Sequence, residues 1–411
     1  MKILFLSHYF PPEVNAPASR TFEHCRQWTQ DGHEVTVVTC APNHPSGKVF
    51  EGYRNAPFQR ETRNGIAIAR VWSFVTPNEG FLKRTLNYIS FMISSLLVLP
   101  ALGKADVVIT TSPQFFNGLA GIVASRIKRC PWVLEVRDLW PESIIAVGAI
   151  KNPFVIRCLQ RLERLAYDRA DAVVVVTDAF KRYMVSMGVP EEKIAVVKNG
   201  VDLSFFVKSK NAFAYKASLG LEGKFVAAYF GTHGMAHHLE TILEAAEFLR
   251  EYSDIAILMV GDGAERMRLL KIREEMRLSN VIMLQQQPKE RMPHLWGSCD
   301  ASLVLLRKSE LFKTVIPSKI FESMGMECPI VLGVEGESAE IVNDAQAGIC
   351  IPPEDARELA SAILKLRNDR ELGRMLGKNG RRYVANNFDR TVLARKMLER
   401  LSATVIRANR L

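Results

Sequence analysis

The chain has 411 residues, 48% of them hydrophobic and 24% charged, which suits two or three globular domains of roughly 100–200 residues each. That balance excludes a largely disordered or fibrous protein. The formal net charge of +10 suits anionic partners: nucleotides, nucleic acid or an acidic membrane face.

The N-terminus, Met1-Lys-Ile-Leu-Phe-Leu-Ser-His, reads as a first strand over Lys2–Ser7. It is apolar too briefly, and lacks the small-residue cleavage site, for a signal peptide. A long loop then runs to Arg20, its path fixed by Pro11, Pro12 and Pro17. Ser19 can cap a helix from about Ser19 to Asp31 that stops at Gly32. Arg20 either meets an anion or belongs to an ordinary capped surface segment. Further strands are expected at Glu34–Thr39, Ile66–Val71, Val107–Thr110, Trp132–Val136 and Ala172–Val176. Apolar runs alternating with amphipathic stretches predict a parallel sheet covered on both faces.

The segment Leu86–Leu102 is apolar, interrupted by Pro100, preceded by Lys83 and Arg84 and followed by Lys104. It falls short of the about 20 apolar residues a spanning helix needs. Two readings stand: an interfacial helix with basic flanks, or a core helix packed on the sheet. Seven cysteines (25, 40, 130, 158, 299, 328 and 350) are scattered without C-x-x-C or metal-ligand spacing, which fits a reduced, cytoplasmic chain.

At the next strand end lies Glu135-Val-Arg-Asp-Leu-Trp-Pro-Glu-Ser143. Asp138 there can act as a base or bind a sugar hydroxyl, with Arg137 keeping it ionised; a structural ion pair is the other reading. Lys198-Asn-Gly-Val-Asp202 predicts a tight turn. The polar, irregular stretch from Asn199 to Gly223 marks a domain boundary, placed near residue 208.

A second series follows, with strands at Phe225–Phe230, Ala256–Val260, Val281–Leu284, Ala301–Leu305 and Ile330–Leu332. Helices such as Leu239–Glu251 and Ala264–Met276 fill the gaps. Gly231-Thr-His-Gly-Met-Ala-His-His238 puts bare backbone where a phosphate can approach. His233, His237 and His238 lack a recognised ligand spacing, and no metal is expected. In Thr314-Val-Ile-Pro-Ser-Lys-Ile-Phe-Glu322 a loop enters a helix. Pro317 suits the first turn, the Ser318 and Lys319 amides point outward, and Glu322 follows one turn on. This order fits a nucleotide, with diphosphate at the helix start and ribose on the carboxylate; a capped helix with a Lys319–Glu322 ion pair fits as well. A last helix, about Thr391–Ala408, is expected to cross back to the first domain. Two doubly wound α/β domains would face a ligand cleft at the carboxyl ends of their strands.

The chain resembles the retaining GT-B glycosyltransferases of family 4. More narrowly, it is similar to the bacterial branch that builds surface polysaccharides and includes the O-antigen L-fucosamine transferase. The resemblance is carried by Tyr9-Phe-Pro-Pro-Glu13, Ala16-Pro-Ala-Ser-Arg20, Gly32-His-Glu-Val-Thr-Val-Val-Thr39 and Pro42-Asn-His-Pro45. It continues in Arg137-Asp-Leu-Trp-Pro-Glu-Ser143, Asn199-Gly-Val-Asp202, Gly261-Asp-Gly263, Pro317-Ser-Lys319 and Phe321-Glu322, covering nearly the whole chain.

The resemblance implies two Rossmann-like domains, residues 1–207 for the acceptor and 208–388 for the donor, with 389–411 returning to the first. It implies a UDP-sugar donor, without metal, held by Gly231, Thr232, Gly234, Gly263, Gln287, Pro317, Ser318, Lys319 and Glu322. Asp138, Arg137 and Glu322 would be catalytic, and Pro12, Asn15, Arg20, His44 and Trp140 would hold the acceptor. That acceptor would be a polyprenyl-pyrophosphate-linked sugar, reached at the inner face of the cell membrane through residues 83–104. Glu322 matches the second glutamate of the family's E-x7-E signature, but Thr314 stands at the first, a departure suiting a deoxy or N-acetylated sugar. The family's basic diphosphate-gripping pair is absent, since that loop carries Thr232 and His238, and Lys319 with the Ser318 N–H would substitute for it. No D-x-D triplet occurs, against a metal-bound diphosphate. An alternative of the same fold is a nucleotide-sugar 2-epimerase, which needs no lipid acceptor. Nucleic-acid binding is not expected, because the basic residues are dispersed and form no recognition module.

Overall fold

A computed structural model describes residues 1–44, 46–77, 81–146, 148, 150–207 and 212–410. Pro45 and the boundary expected near residue 208 fall outside these. The chain divides into two units, Met1–Lys198 with Arg390–Leu411, and Asn199–Asp389. Val201 already belongs to the second unit, where it bridges Asp389 and donates to Phe388 O at 3.1 Å.

In the first unit, β1 (Lys2–Leu6), β2 (Glu34–Cys40), β3 (Phe58–Arg63), β4 (Ile66–Val71), β5 (Val107–Thr111), β6 (Trp132–Val136), β7 (Ala172–Val175) and β8 (Ile194–Val196) form one sheet. Its order is β3-β4-β2-β1-β5-β6-β7-β8. All pairs are parallel except β3 with β4. The central strands are buried along almost their whole length, as expected of a sheet covered on both faces. β3 alternates exposed and half-buried residues, and its charged side chains suit an edge.

The Ala16–Gln30 helix starts earlier than expected. Asn15, not Ser19, is the cap, and its side chain accepts from the Ala18 amide at 2.8 Å. The Arg390–Ala408 helix lies against it in this same unit. Leu393, Ala394, Met397 and Leu401 are buried in the core with Phe5, Trp28 and Val37, and Trp28 Nε1 donates to Ala394 O at 2.8 Å.

In the second unit, β9 (Phe225–Phe230), β10 (Ile255–Val260), β11 (Val281–Leu284), β12 (Ala301–Leu305), β13 (Ile330–Gly333) and β14 (Gly348–Cys350) are all parallel in the order β11-β10-β9-β12-β13-β14. Each sheet has a point where strand order reverses, at β1/β5 and at β9/β12. Loops leaving the carboxyl ends there are the usual ligand sites of such sheets.

Candidate active site

In the first unit, four segments meet beyond the carboxyl end of β1. These are the loop after β1, the loop after β2, the chain after β4, and the Phe81–Val98 helix. Together they line a narrow pocket that includes His8, Tyr9, Asn43, His44, Arg84 and Tyr88. The His8 ring meets Tyr9, Tyr88 and Phe91 edge to face, and Tyr9 meets His44 in the same way. Burial lowers the His8 pKa to about 3, helped by His44. Burial and then Arg84 lower that of His44 to about 4. Both imidazoles are therefore neutral at pH 7. Glu13 accepts from the Asn43 and His44 amides, each at 2.9 Å, and burial pushes its pKa up to about 7.

Asp138 lies just past β6. Its carboxyl accepts from Ser143 Oγ at 3.1 Å, and its amide donates to Ser112 Oγ. Burial raises its pKa, opposed by the Ser143 hydrogen bond and by the positive charge of Arg84. Arg84, not Arg137, is thus the cation that favours its ionised form. Both residues follow the end of β6, where Arg137 meets the charge of Glu135 and Asp138 that of Arg84. Arg137 sits among Glu135, Arg20, Arg390 and Glu23. Burial lowers its pKa to about 9, with Glu135 opposing, and its Nε and Nη1 are enclosed without hydrogen-bond partners.

Other acceptor-site expectations change. Arg20 is 1% exposed. It donates to Glu135 at 2.8 Å and to the Lys198 and Val197 carbonyls at 2.7 and 2.8 Å, so it ties the loop after β8 to the core instead of meeting a ligand. Glu135 is completed by Thr111 Oγ1 at 2.7 Å. Trp140 is buried against Phe115, ring centroids 4.7 Å apart, with Ile144, Ile150 and Leu159 around it; it is a packing residue. Asn15 is the helix cap described above, and Pro12 follows Pro11 without lining the pocket. Of the expected acceptor residues, His44 lines it.

In the second unit, the loops after β9, β10 and β12 converge. Gly231 and Gly263 have φ of +140° and +151°. A Cβ at Gly261 would stand 1.8 Å from Gly231 O, and one at Gly263 2.5 Å from His233 O. These glycines let two loops interlock backbone to backbone, a closer approach than any side chain allows. Tyr229 Oη ties the first loop by donating to Thr232 O at 2.8 Å. His233 is fully buried, with a pKa lowered to about 4 by burial, Arg266 and Lys319. Burial likewise brings His237 to about 3. Among the described residues no group of three or more His, Cys, Asp or Glu side chains is placed to hold a metal.

Lys319 reaches into this convergence. Its Nζ is 3.8 Å from the centroid of the Tyr229 ring, enclosed, and without a hydrogen-bond partner. Burial lowers its pKa to about 7, against the pull of Glu322. The ion-pair reading of Lys319 and Glu322 therefore fails at the level of contact, although the two feel each other's charge. Ser318 is the residue before the Lys319–Gly325 helix and Pro317 precedes that, so Pro317 lies outside the first turn expected for it. Thr314 Oγ1 donates to Leu311 O at 2.6 Å, closing its own short turn. Thr232 is exposed, Gly234 half-buried. Gln287 is held locally, donating to Gln285 O and accepting from Arg291.

Two residues carry weight that sequence reasoning missed. Arg266 Nη1 donates to Gly261 O and Leu284 O at 3.1 and 3.0 Å, bracing the ends of β10 and β11 beside Lys319. Arg84 entered the sequence only as a basic flank of an apolar run; its spacing of four from Tyr88 was the available signal.

Residues 15–200 match the family described as "Glycosyl transferase 4-like domain" and residues 212–383 the one described as "Glycosyl transferases group 1". The chain is 26% identical over 377 residues to WcaI of Escherichia coli (strain K12), whose name places it in colanic acid biosynthesis as a glycosyl transferase; the match covers 88% of this chain and 91% of WcaI. It is similar in structure to sucrose-phosphate synthase from Thermosynechococcus elongatus, with a TM-score of 0.77, 18% identity, and 99% and 100% of the two chains covered. It is also similar to Anabaena Alr3699/HepE in complex with UDP-glucose, with a TM-score of 0.74, 19% identity, and 98% and 100% covered. The chain belongs to the GT-B glycosyltransferases, with a glycosyl transferase 4-like domain followed by a group 1 domain.

Proposed function

We propose that this glycosyltransferase moves a sugar from a UDP-sugar to a lipid-linked glycan during assembly of a surface polysaccharide, with retention of anomeric configuration. The observation that carries the reading is Lys319. An enclosed ammonium without a hydrogen-bond partner, resting on an aromatic face at a sheet's switch point, is an incomplete electrostatic arrangement. A diphosphate completes it. UDP-glucose in HepE and the colanic acid assignment of WcaI support the donor class and the polymer class.

In the reaction the bond between the anomeric carbon and the diphosphate oxygen breaks, and a bond to the acceptor oxygen forms. Lys319 stabilises the charge that develops on the leaving diphosphate. The ribose hydroxyls fall to Glu322, and Gly231, Thr232, Gly234, Gly263, Gln287, Pro317 and Ser318 border the nucleotide. The acceptor hydroxyl is oriented by Asp138, and its proton passes to the leaving phosphate on the same face. No metal takes part, so chelator leaves the rate unchanged.

The acceptor class is supported by the Phe81–Val98 helix. Its inward face carries Tyr88 and Phe91, 3% and 0% exposed, while Leu82, Leu86, Ile93 and Leu97 on its outward face are 70%, 48%, 49% and 76% exposed. No helix among the described residues is long and apolar enough to cross a membrane. An outward apolar stripe flanked by Lys83 and Lys104 suits a helix lying on anionic lipid, which supports work at the cytoplasmic membrane face. The test is incubation with a panel of UDP-sugars and a lipid-pyrophosphate sugar, with products read by mass. Addition of one sugar to the lipid is expected, and lost in a folded Glu322→Ala variant; no product from any pair refutes the reading.

A further inference from the structure

We propose that the pocket beside the Phe81–Val98 helix is the subsite for the phosphate groups of the acceptor, with Arg84 as its cation and the Tyr9 and Tyr88 hydroxyls as its neutral donors. This rests on the lipid-linked acceptor argued above and adds to it the site where the lipid's phosphates are read.

The chemistry of the lining selects an anion. Among the described residues that line the pocket, Arg84 carries the permanent charge. His8 and His44 are held neutral by burial, so they offer ring nitrogens without adding charge. Glu13, the nearby carboxyl on the loop after β1, is occupied by two backbone amides. The Arg84 guanidinium donates to Tyr88 Oη at 3.2 Å. A guanidinium has five N–H donors in a fork matched to phosphate oxygens, so one contact leaves most of the fork to a ligand. Tyr9 lines the same pocket as Arg84 and Tyr88, so two phenols border the site.

Position selects the kind of anion. Arg84 and Asp138 feel each other's charge, so the pocket's cation acts on the carboxyl assigned to the acceptor hydroxyl. The same helix carries the outward apolar stripe. Arg84 and the stripe lie on opposite faces, about one helix diameter of 10 Å apart. A pyrophosphate is the charged joint between lipid and sugar.

The test uses the full chain saturated with UDP, so that the nucleotide site is filled. Farnesyl pyrophosphate and farnesol, both below their micellar concentrations, are titrated by calorimetry. Wild type should bind the pyrophosphate at least about tenfold more tightly than the alcohol, the range of a charge-assisted contact. Arg84→Gln should abolish that difference and leave farnesol binding unchanged, while Arg84→Lys restores part of it. Inorganic pyrophosphate should compete with the farnesyl probe; absence of competition overturns the proposal, because affinity would then reside in the lipid chain. An undiminished preference in folded Arg84→Gln also overturns it. Should that variant not fold, Tyr88→Phe carries the same test, with a reduced preference expected and an unchanged one contradicting the subsite. Failure of the transferase reading would show separately, as no sugar transfer by a protein that still distinguishes the two probes.

Discussion

Lys319 shows how one residue joins burial to ligand chemistry. Its ammonium is held at a pKa of about 7 by its enclosure, so the unliganded protein loses this charge as pH rises through that value. A bound diphosphate favours the charged form and raises the pKa again. UDP affinity should therefore fall as pH rises above 7, by up to about tenfold per unit, and calorimetry in buffers of different ionisation enthalpy should detect proton uptake on binding. Lys319→Ala should bind UDP weakly with a flatter pH profile. Asp138→Asn should lower kcat by about a hundredfold or more while leaving UDP affinity unchanged, as measured by steady-state rates and calorimetry. Lys319 and Glu322 were singled out in the sequence because one short loop-to-helix segment carries both; the structure encloses Lys319 on the Tyr229 ring without pairing it to Glu322. Arg84 was not, since its importance comes from Tyr9, His44 and Asp138, which are far away in sequence. Arg137 and Asp138 were legible as neighbours, but the charges each meets come from segments distant in the chain.

At the scale of elements, the Phe81–Val98 helix combines both readings of its apolar run: one face is core, the other is exposed. Leu86→Glu with Ile93→Glu should fold normally and lose binding to anionic liposomes in sedimentation. Phe91→Glu should fail differently. Deleting a buried Phe alone costs about 3–5 kcal/mol, so its deficit should appear as a lowered denaturant midpoint. The Ala16–Gln30 helix is a second case. Arg20 reaches Glu135 and two carbonyls, while Glu23 holds Arg390 at 2.7 Å. Arg20→Ala leaves Glu135 buried beside Arg137 without its partner and should cost about 3–5 kcal/mol, measured by chemical unfolding. Apolar runs made the central strands legible. β3 was hidden by its charged, exposed residues, and the three-residue β8 and β14 were too short to show a period.

For the whole molecule, each unit completes a doubly wound sheet with its own core. The first unit includes a segment from the end of the chain, whose apolar residues at positions 393, 394, 397 and 401 fill that core. The alternation of strands and helices indicated this architecture in the sequence. The exact division at Lys198/Asn199 did not emerge, because Val201, Leu203 and Phe206 join the second unit through Asp389, Phe388, Gly325 and Arg381, far away in sequence. The central claim is that the protein couples a UDP-sugar to a lipid-linked acceptor, and UDP release measured with and without a lipid-pyrophosphate sugar tests it most directly. The account predicts UDP release from at least one UDP-sugar that rises sharply when the lipid acceptor is added and disappears in Lys319→Ala. UDP release at the same rate without acceptor, or no release with any donor and acceptor, as an epimerase that keeps UDP on the sugar would give, would contradict it.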